Sequence, residues 1–288
     1  MRKKRLIVTG ARGFIGSHAT GYFKEKEYTV LGVDKLLSDN VSQCDLTNFD
    51  ETLNLFKQFI PDYVIHLAVR YAGSEVEIMR TNLMITLNVL EASLKVGVKR
   101  FVYMSSSAVY GLPTEDNPVD EETPLAPRTG YGTSKVAAEY LVKQYFNLGL
   151  PCVIFRGFEV WGKGATNGII KIFVENAVKK GCLTVFCHGH QKADFMHVLD
   201  LCQAYELGLE KLDSGQIYNV GSGIVRTYQD LAEEIRRITA CKVEYLPCRA
   251  REEPYKLYPD IRKLKSKGFN PKHLNFGQLI KEVVSDYR

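Results

Sequence analysis

No run in this 288-residue chain approaches the length of a membrane-spanning helix. The basic start, Arg2–Lys4, leads into "LIVTGARGFIG", which is too short and too glycine-rich for a cleaved secretory core. A cytoplasmic chain without a signal peptide is therefore expected. Internal repeats, low-complexity tracts and long linkers are also missing, which excludes solenoid and disordered architectures. The net charge of +5 is spread along the chain and forms no basic stripe. That argues against nucleic acid as a partner and suits an anionic small molecule. Regular cysteine spacing is absent as well. Seven cysteines, an odd number, read as reduced thiols. Cys182, Cys187, His188 and His190 do not follow a standard zinc spacing, and no metal is expected. His188 and His190 are expected to line a substrate lobe and His197 to pack where two lobes meet.

What is present is an ordinary globular composition, 45% hydrophobic and 25% charged, in a chain long enough for one large or two modest α/β domains. Near-continuous apolar runs at 5–10, 28–34, 63–68, 100–106 and 151–156 read as strands buried on both faces, with a shorter one at 41–46. Helical patterns lie between them at 14–27, 48–58, 75–97 and 131–148. This alternation predicts a doubly wound parallel sheet of Rossmann type. The remainder is less regular, with helices near 166–180, 198–211, 227–239 and 276–286 and strands near 183–187, 216–219 and 242–246. The fold expected is α/β, a Rossmann-type sheet with a smaller C-terminal α/β substrate lobe. Residues 1–156 plus 195–221 would form the dinucleotide domain, and 157–194 plus 222–288 the lobe.

"TGARGFIGSH" joins the first strand to the first helix and places Gly10, Gly13 and Gly16 in the turn. Glycines there permit the tight turn, let backbone amides approach a pyrophosphate, and allow the helix to pack closely on the strand. Phe14 and Ile15 share that stretch and count as cofactor contacts. Asp34 ends the second strand, where a carboxylate accepts hydrogen bonds from ribose hydroxyls and repels a 2′-phosphate. NAD is thus favoured over NADP, against a mild opposing pull from Arg12 and Lys35.

"GYGTSK" sets Tyr131 and Lys135 one turn apart on a helix. A phenol of pKa about 10 is a poor base at neutral pH, and a nearby ammonium favours its anion. The pair makes a general acid/base. "SSSAVYG" puts three hydroxyls, Ser105, Ser106 and Ser107, at the carboxyl end of a central strand. Alternation sets Ser106 on the opposite side from the other two and does not choose among them.

Taken in order, GxxGxxG, Asp45–Leu46, His66–Ala68, "SSSAVYG", YxxxK and "ADFMHVLD" resemble the extended short-chain dehydrogenase/reductases, the NAD-dependent epimerase/dehydratase family. The resemblance spans essentially the whole chain. It implies NAD as cofactor, a UDP-glucose 4-epimerase-like activity and a homodimer through the helices near 75–97 and 131–148, with Val136, Leu141 and Phe146 compatible with that face. It implies Ser106, Tyr131 and Lys135 as catalytic residues. Asp45 and Leu46 are implied at the adenine, Leu67, Ala68, Asn82 and Ser105 along the cofactor, and Ser106, Ser107, Glu159, Lys192 and Arg251 at a nucleotide sugar, with Arg249 competing for the diphosphate.

Some residues depart from the family pattern. Glu159 stands where members carry asparagine, Trp161 where they carry tyrosine, and Ala193 where they carry an arginine. Dehydratases of the family carry an acidic pair after the catalytic hydroxyl, and here the residues are Ser107 and Ala108. The expected function is NAD-dependent C4 epimerisation of a UDP-hexose through a 4-keto intermediate. The alternatives are an NAD(P)-dependent 4-ketosugar reductase or sugar dehydrogenase, which must exchange its cofactor, and a non-catalytic dinucleotide-sensing regulator, which has no need of Tyr131 and Lys135.

Overall fold

A computed structural model describes residues 3–249 and 252–287. In chain order the first elements are β1 (Arg5–Thr9), α1 (Phe14–Glu25), β2 (Thr29–Asp34), β3 (Val41–Gln43), α2 (Phe49–Phe59), β4 (Tyr63–His66), α3 (Glu75–Val96), β5 (Arg100–Ser106), α4 (Gly130–Asn147) and β6 (Cys152–Gly157). There follow β7 (Val160–Trp161), α5 (Ile169–Lys180), β8 (Cys182–Val185), β9 (Lys192–Asp194), β10 (Met196–His197), α6 (Val198–Glu210) and β11 (Gln216–Val220). Last come β12 (Val225–Thr227), α7 (Tyr228–Thr239), β13 (Lys242–Tyr245), β14 (Lys256–Leu257), α8 (Arg262–Lys265) and α9 (Phe276–Ser285).

Two compact units share these elements. The first comprises Met1–Gly111, Pro124–Arg156 and Cys202–Tyr218, and the second Leu112–Thr123, Gly157–Leu201 and Asn219–Arg288. Seven strands run in the order β11-β6-β5-β4-β1-β2-β3, with β1 parallel to β2 and β4, β2 to β3, and β4 to β5. This is the expected Rossmann-type sheet. Every residue of β6 is buried, as a strand covered on both faces requires. The core of the first unit includes Ile7, Val64, Phe101 and Ile154 from the sheet with Phe56, Leu90 and Val142 from the helices.

Local signals set the helix ends. Ser74 and Glu77 form a capping box at the start of α3, Gly97 closes it in a left-handed conformation, and Asn48 and Thr129 cap α2 and α4. In contrast, α1 starts at Gly13 with no side-chain cap and no acid in its first turn.

The second unit has its own core, built from Phe173, Leu183, Leu231, Ile235 and Ile280 with Trp161 and Phe276 meeting edge-on. Its strands β7, β9, β10, β12 and β14 are two or three residues long, too short to show alternation in a sequence. The expectation of wholly reduced thiols is corrected, because Cys187 and Cys248 form a disulfide. Parallel pairing of β8 with β13 brings Val185 opposite Tyr245, so the chain beyond each strand end runs side by side. His188 N–H then donates to Leu246 O at 2.8 Å. The partner of Cys187 is set by this pairing across 61 residues, which cysteine spacing does not reveal.

Candidate active site

The strand order reverses at β1, whose neighbours are β2 on one side and β4 on the other. Ligands of open α/β sheets bind at the carboxyl ends of strands at such a point. Here the glycine turn leaves β1. Gly10 has φ +68°, and a Cβ on it would lie 2.9 Å from Ala68 Cα. A Cβ at Gly16 would sit 2.1 Å from Gly10 O, inside contact distance, whereas at Gly13 the nearest atom would be at 3.2 Å. Gly10 and Gly16 are thus fixed by space. The first turn of α1 has no side-chain cap, which leaves its amides available to an anion.

Behind the turn, Thr9 ties β1 to the segment after β4. Its hydroxyl oxygen accepts from Leu67 N and Ala68 N, both at 3.1 Å, and its proton goes to His66 Nδ1 at 2.8 Å. His66 Nε2–H then donates to Thr86 Oγ1 at 3.2 Å, and that hydroxyl donates to Asn82 O. Burial, aided by nearby Lys135, pushes the His66 pKa down to about 3, so the imidazole is neutral.

The three serines separate clearly. Ser105 Oγ–H donates to buried Glu139 Oε1 at 2.5 Å, so its hydroxyl is spent inside the protein. Ser106 caps a 3-10 turn over 107–110, accepting Ala108 N at 3.1 Å, and its hydroxyl lies near enough to Tyr131 to favour the phenolate. Ser107 begins that turn and is half-buried. A Cβ at Gly132 would meet Ala108 O at 2.8 Å, so glycine there lets α4 close onto the serine segment.

Tyr131 lies in the first turn of α4, with Lys135 one turn on. The Lys135 ammonium is buried, donates to Met104 O at 2.6 Å, and lies 4.8 Å from the Tyr103 ring centroid and 5.8 Å from that of Tyr131. Desolvation pulls its pKa down to about 7, while Glu139 works in the opposite direction. The Tyr131 pKa is raised well above its ordinary value, first by burial and then by Tyr71, with Ser106 opposing. An outright lowering by Lys135 is therefore not seen from the protein groups alone. Burial penalises the charged form of both members of the pair.

Asp34 closes β2 and accepts Arg12 N at 3.1 Å and Leu36 N at 3.3 Å, which fixes its carboxylate beside the glycine turn. Asp45 accepts Thr47 N at 3.0 Å and Thr47 Oγ1 at 2.7 Å, bonds that lower its pKa. Leu46 is buried, and its carbonyl accepts from Asn88. Asn82, expected along the cofactor, bonds both the segment after β4 and α4. It accepts Arg70 N at 2.7 Å and donates to Arg70 O at 3.2 Å and Ser134 Oγ at 3.0 Å. All of these bonds join α3, α4 and the segment after β4.

In the second unit Glu159 keeps solvent-accessible surface but is crowded enough for burial to raise its pKa, and its charge acts on the hydroxyls of Tyr228 and Tyr255. Lys192 is not a free point charge. It pairs with Asp116, which also faces Lys256 at 3.8 Å and accepts the Tyr258 hydroxyl at 2.8 Å. Ala193 is buried in β9. Arg249 stacks over Phe186 at 4.2 Å, and Arg251 lies outside the described residues. His197 is buried, edge-on to Trp161 and 4.7 Å from the ring of His273.

Residues 6–221 match the sequence profile of the NAD dependent epimerase/dehydratase family. The chain belongs to that family. It is 32% identical to a Methanocaldococcus jannaschii protein provisionally named a UDP-glucose 4-epimerase, over 97% of each chain. It is 31% identical to the dTDP-glucose 4,6-dehydratase of Streptomyces niveus, over 99% of this chain and 93% of the relative. The crystal structure of Thermotoga maritima UDP-glucose 4-epimerase with UDP-glucose superposes with a TM-score of 0.89 at 27% identity, covering 99% of this chain and 98% of that one.

In this family member, two features of the site escape the motifs. Tyr71, in the segment after β4, brings its hydroxyl to 3.2 Å from that of Tyr131, with ring centroids 4.7 Å apart. Glu139 and Arg156 form a buried pair behind Ser105. A Tyr in an irregular segment carries no sequence signal. Glu139, four residues beyond Lys135 on the same helical face, could have been found by spacing.

Proposed function

We propose that this chain is an NAD-dependent nucleotide-sugar epimerase that inverts C4 of a UDP-hexose through a 4-keto intermediate. The observation that carries the reading is Tyr131 in the first turn of α4, with the buried Lys135 ammonium 5.8 Å from its ring centroid. The presence of Ser107 and Ala108 in place of an acidic pair favours epimerisation over water elimination.

The first unit fits NAD. The glycine turn leaves space that a Cβ would fill, and the amides of the first turn of α1 suit a pyrophosphate. Asp34, held by Arg12 N beside the glycine turn, would accept from ribose hydroxyls. NAD, when bound, supplies the hydride acceptor and donor. The remaining steps belong to the chain. Ser106 donates a hydrogen bond to the C4 oxygen, and Tyr131 as phenolate takes the C4 hydroxyl proton. Protonated Lys135 favours that phenolate. Once the 4-keto sugar has turned over, Tyr131 returns the proton to the C4 oxygen, with no net redox change.

Within this reading residues 1–156 and 195–221 hold the dinucleotide, and 157–194 and 222–288 the nucleotide sugar. Ser107, Glu159 and Arg251 would contact the sugar or its diphosphate, and Lys192 would act through its pairing with Asp116. A homodimer would form through α3 and α4, where Met84, Leu87 and Tyr140 stand exposed, while Leu141 packs toward the first core. Among the described residues no helix is long and apolar enough to cross a membrane. Tyr131→Phe should abolish turnover and leave NAD bound. Unchanged turnover would refute the assignment.

A further inference from the structure

We propose that Tyr71 sets the protonation state of Tyr131, as a phenol that carries the proton between Tyr131 Oη and solvent. Before the first turnover Tyr131 must lose its own proton, and burial disfavours its anion. Tyr71 links it to solvent. Its hydroxyl is 3.2 Å from Tyr131 Oη, and the residue is 57% exposed. The segment that carries it is fixed, because Asn82 grips both the N–H and the carbonyl of Arg70. Asn82 also holds Ser134, whose hydroxyl donates to Tyr131 O at 2.7 Å. One amide thus sets the two phenols against each other.

The step is a proton hop. The Tyr131 O–H bond breaks as a new O–H bond forms on Tyr71, and the original Tyr71 proton passes to a solvent water or hydroxide. Tyr131 is left as phenolate and Tyr71 as phenol, with no electron transferred. This role rests on Tyr131 as the acid/base but not on which sugar is turned over.

The test uses NAD-loaded protein carrying carbon-13 at tyrosine Cζ, in equal parts light and heavy water. Tyr131→Phe assigns the Tyr131 line. Fast hydroxyl exchange gives one averaged line, and slow exchange gives two. The wild type should show one and Tyr71→Phe two. Added imidazole should merge the two lines of the variant and leave the wild type unchanged. An identical line shape in both proteins, or two lines in the variant that imidazole does not merge, would each overturn the proposal. The line shape is read without substrate, so failure of epimerisation would leave this test standing.

Discussion

Arg156 grips Glu139 with two hydrogen bonds, Nε to Oε1 at 3.0 Å and Nη2 to Oε2 at 2.7 Å, and both side chains are buried. The same carboxylate accepts Ser105, and Arg156 Nη1 donates to the Tyr110 hydroxyl at 2.9 Å. The pair therefore clamps both ends of the serine segment. Glu139→Gln leaves Arg156 without its counter-charge. Urea unfolding should show a loss of about 3–5 kcal/mol, the cost typical of breaking a buried pair from one side. The change also removes the group that raises the Lys135 pKa. The pH profile of turnover should shift to lower pH.

His66 is expected to make the protein acid-sensitive. Its folded pKa of about 3 lies below the ordinary 6.5, so between those values the unfolded chain binds the proton more readily. Stability therefore falls as pH drops from 6.5 toward 3, at a slope of up to roughly 1.4 kcal/mol per pH unit from this group. Unfolding free energies of wild type and His66→Asn across that range should converge as pH falls. Parallel curves would exclude the effect.

The sheet and the main helices were legible because strands covered on both faces leave unbroken apolar runs, as in Phe101–Met104, and because Gly10 and Gly16 mark the turn. The choice of Ser106 was legible only through family resemblance. The bond of Ser105 to Glu139 joins residues 34 apart, and local pattern does not encode it. The bonds of Asn82 to Arg70 and Ser134 cross between segments distant in sequence and need coordinates. Tyr71 and the Cys187–Cys248 bond depend on contacts between distant segments, and local pattern does not encode them.

Two glycines of one stretch should behave oppositely. A Cβ at Gly16 meets Gly10 O at 2.1 Å, whereas at Gly21 nothing lies within 4 Å. Gly16→Ala should lose bound NAD. Gly21→Ala should retain it and gain about 0.4–1 kcal/mol in stability. Cofactor content after gel filtration, with thermal unfolding, checks both.

Glu159 should weaken binding of an anionic nucleotide sugar. Burial raises its pKa, so its charged form is already disfavoured, and a nearby diphosphate would disfavour it further. Glu159→Gln is expected to tighten UDP-sugar binding several-fold at pH 8, about 1 kcal/mol, with the difference shrinking as pH falls and the wild-type carboxyl protonates. Calorimetric titration at two pH values measures this.

The central claim is C4 epimerisation with retained NAD. Purified protein loaded with NAD is incubated with UDP-galactose, and the sugar products and released cofactor are followed by proton NMR. The account predicts conversion to an equilibrium mixture with UDP-glucose, with no NADH released and no loss of water or carbon dioxide. Stoichiometric NADH release, or a dehydrated or decarboxylated product, would contradict it.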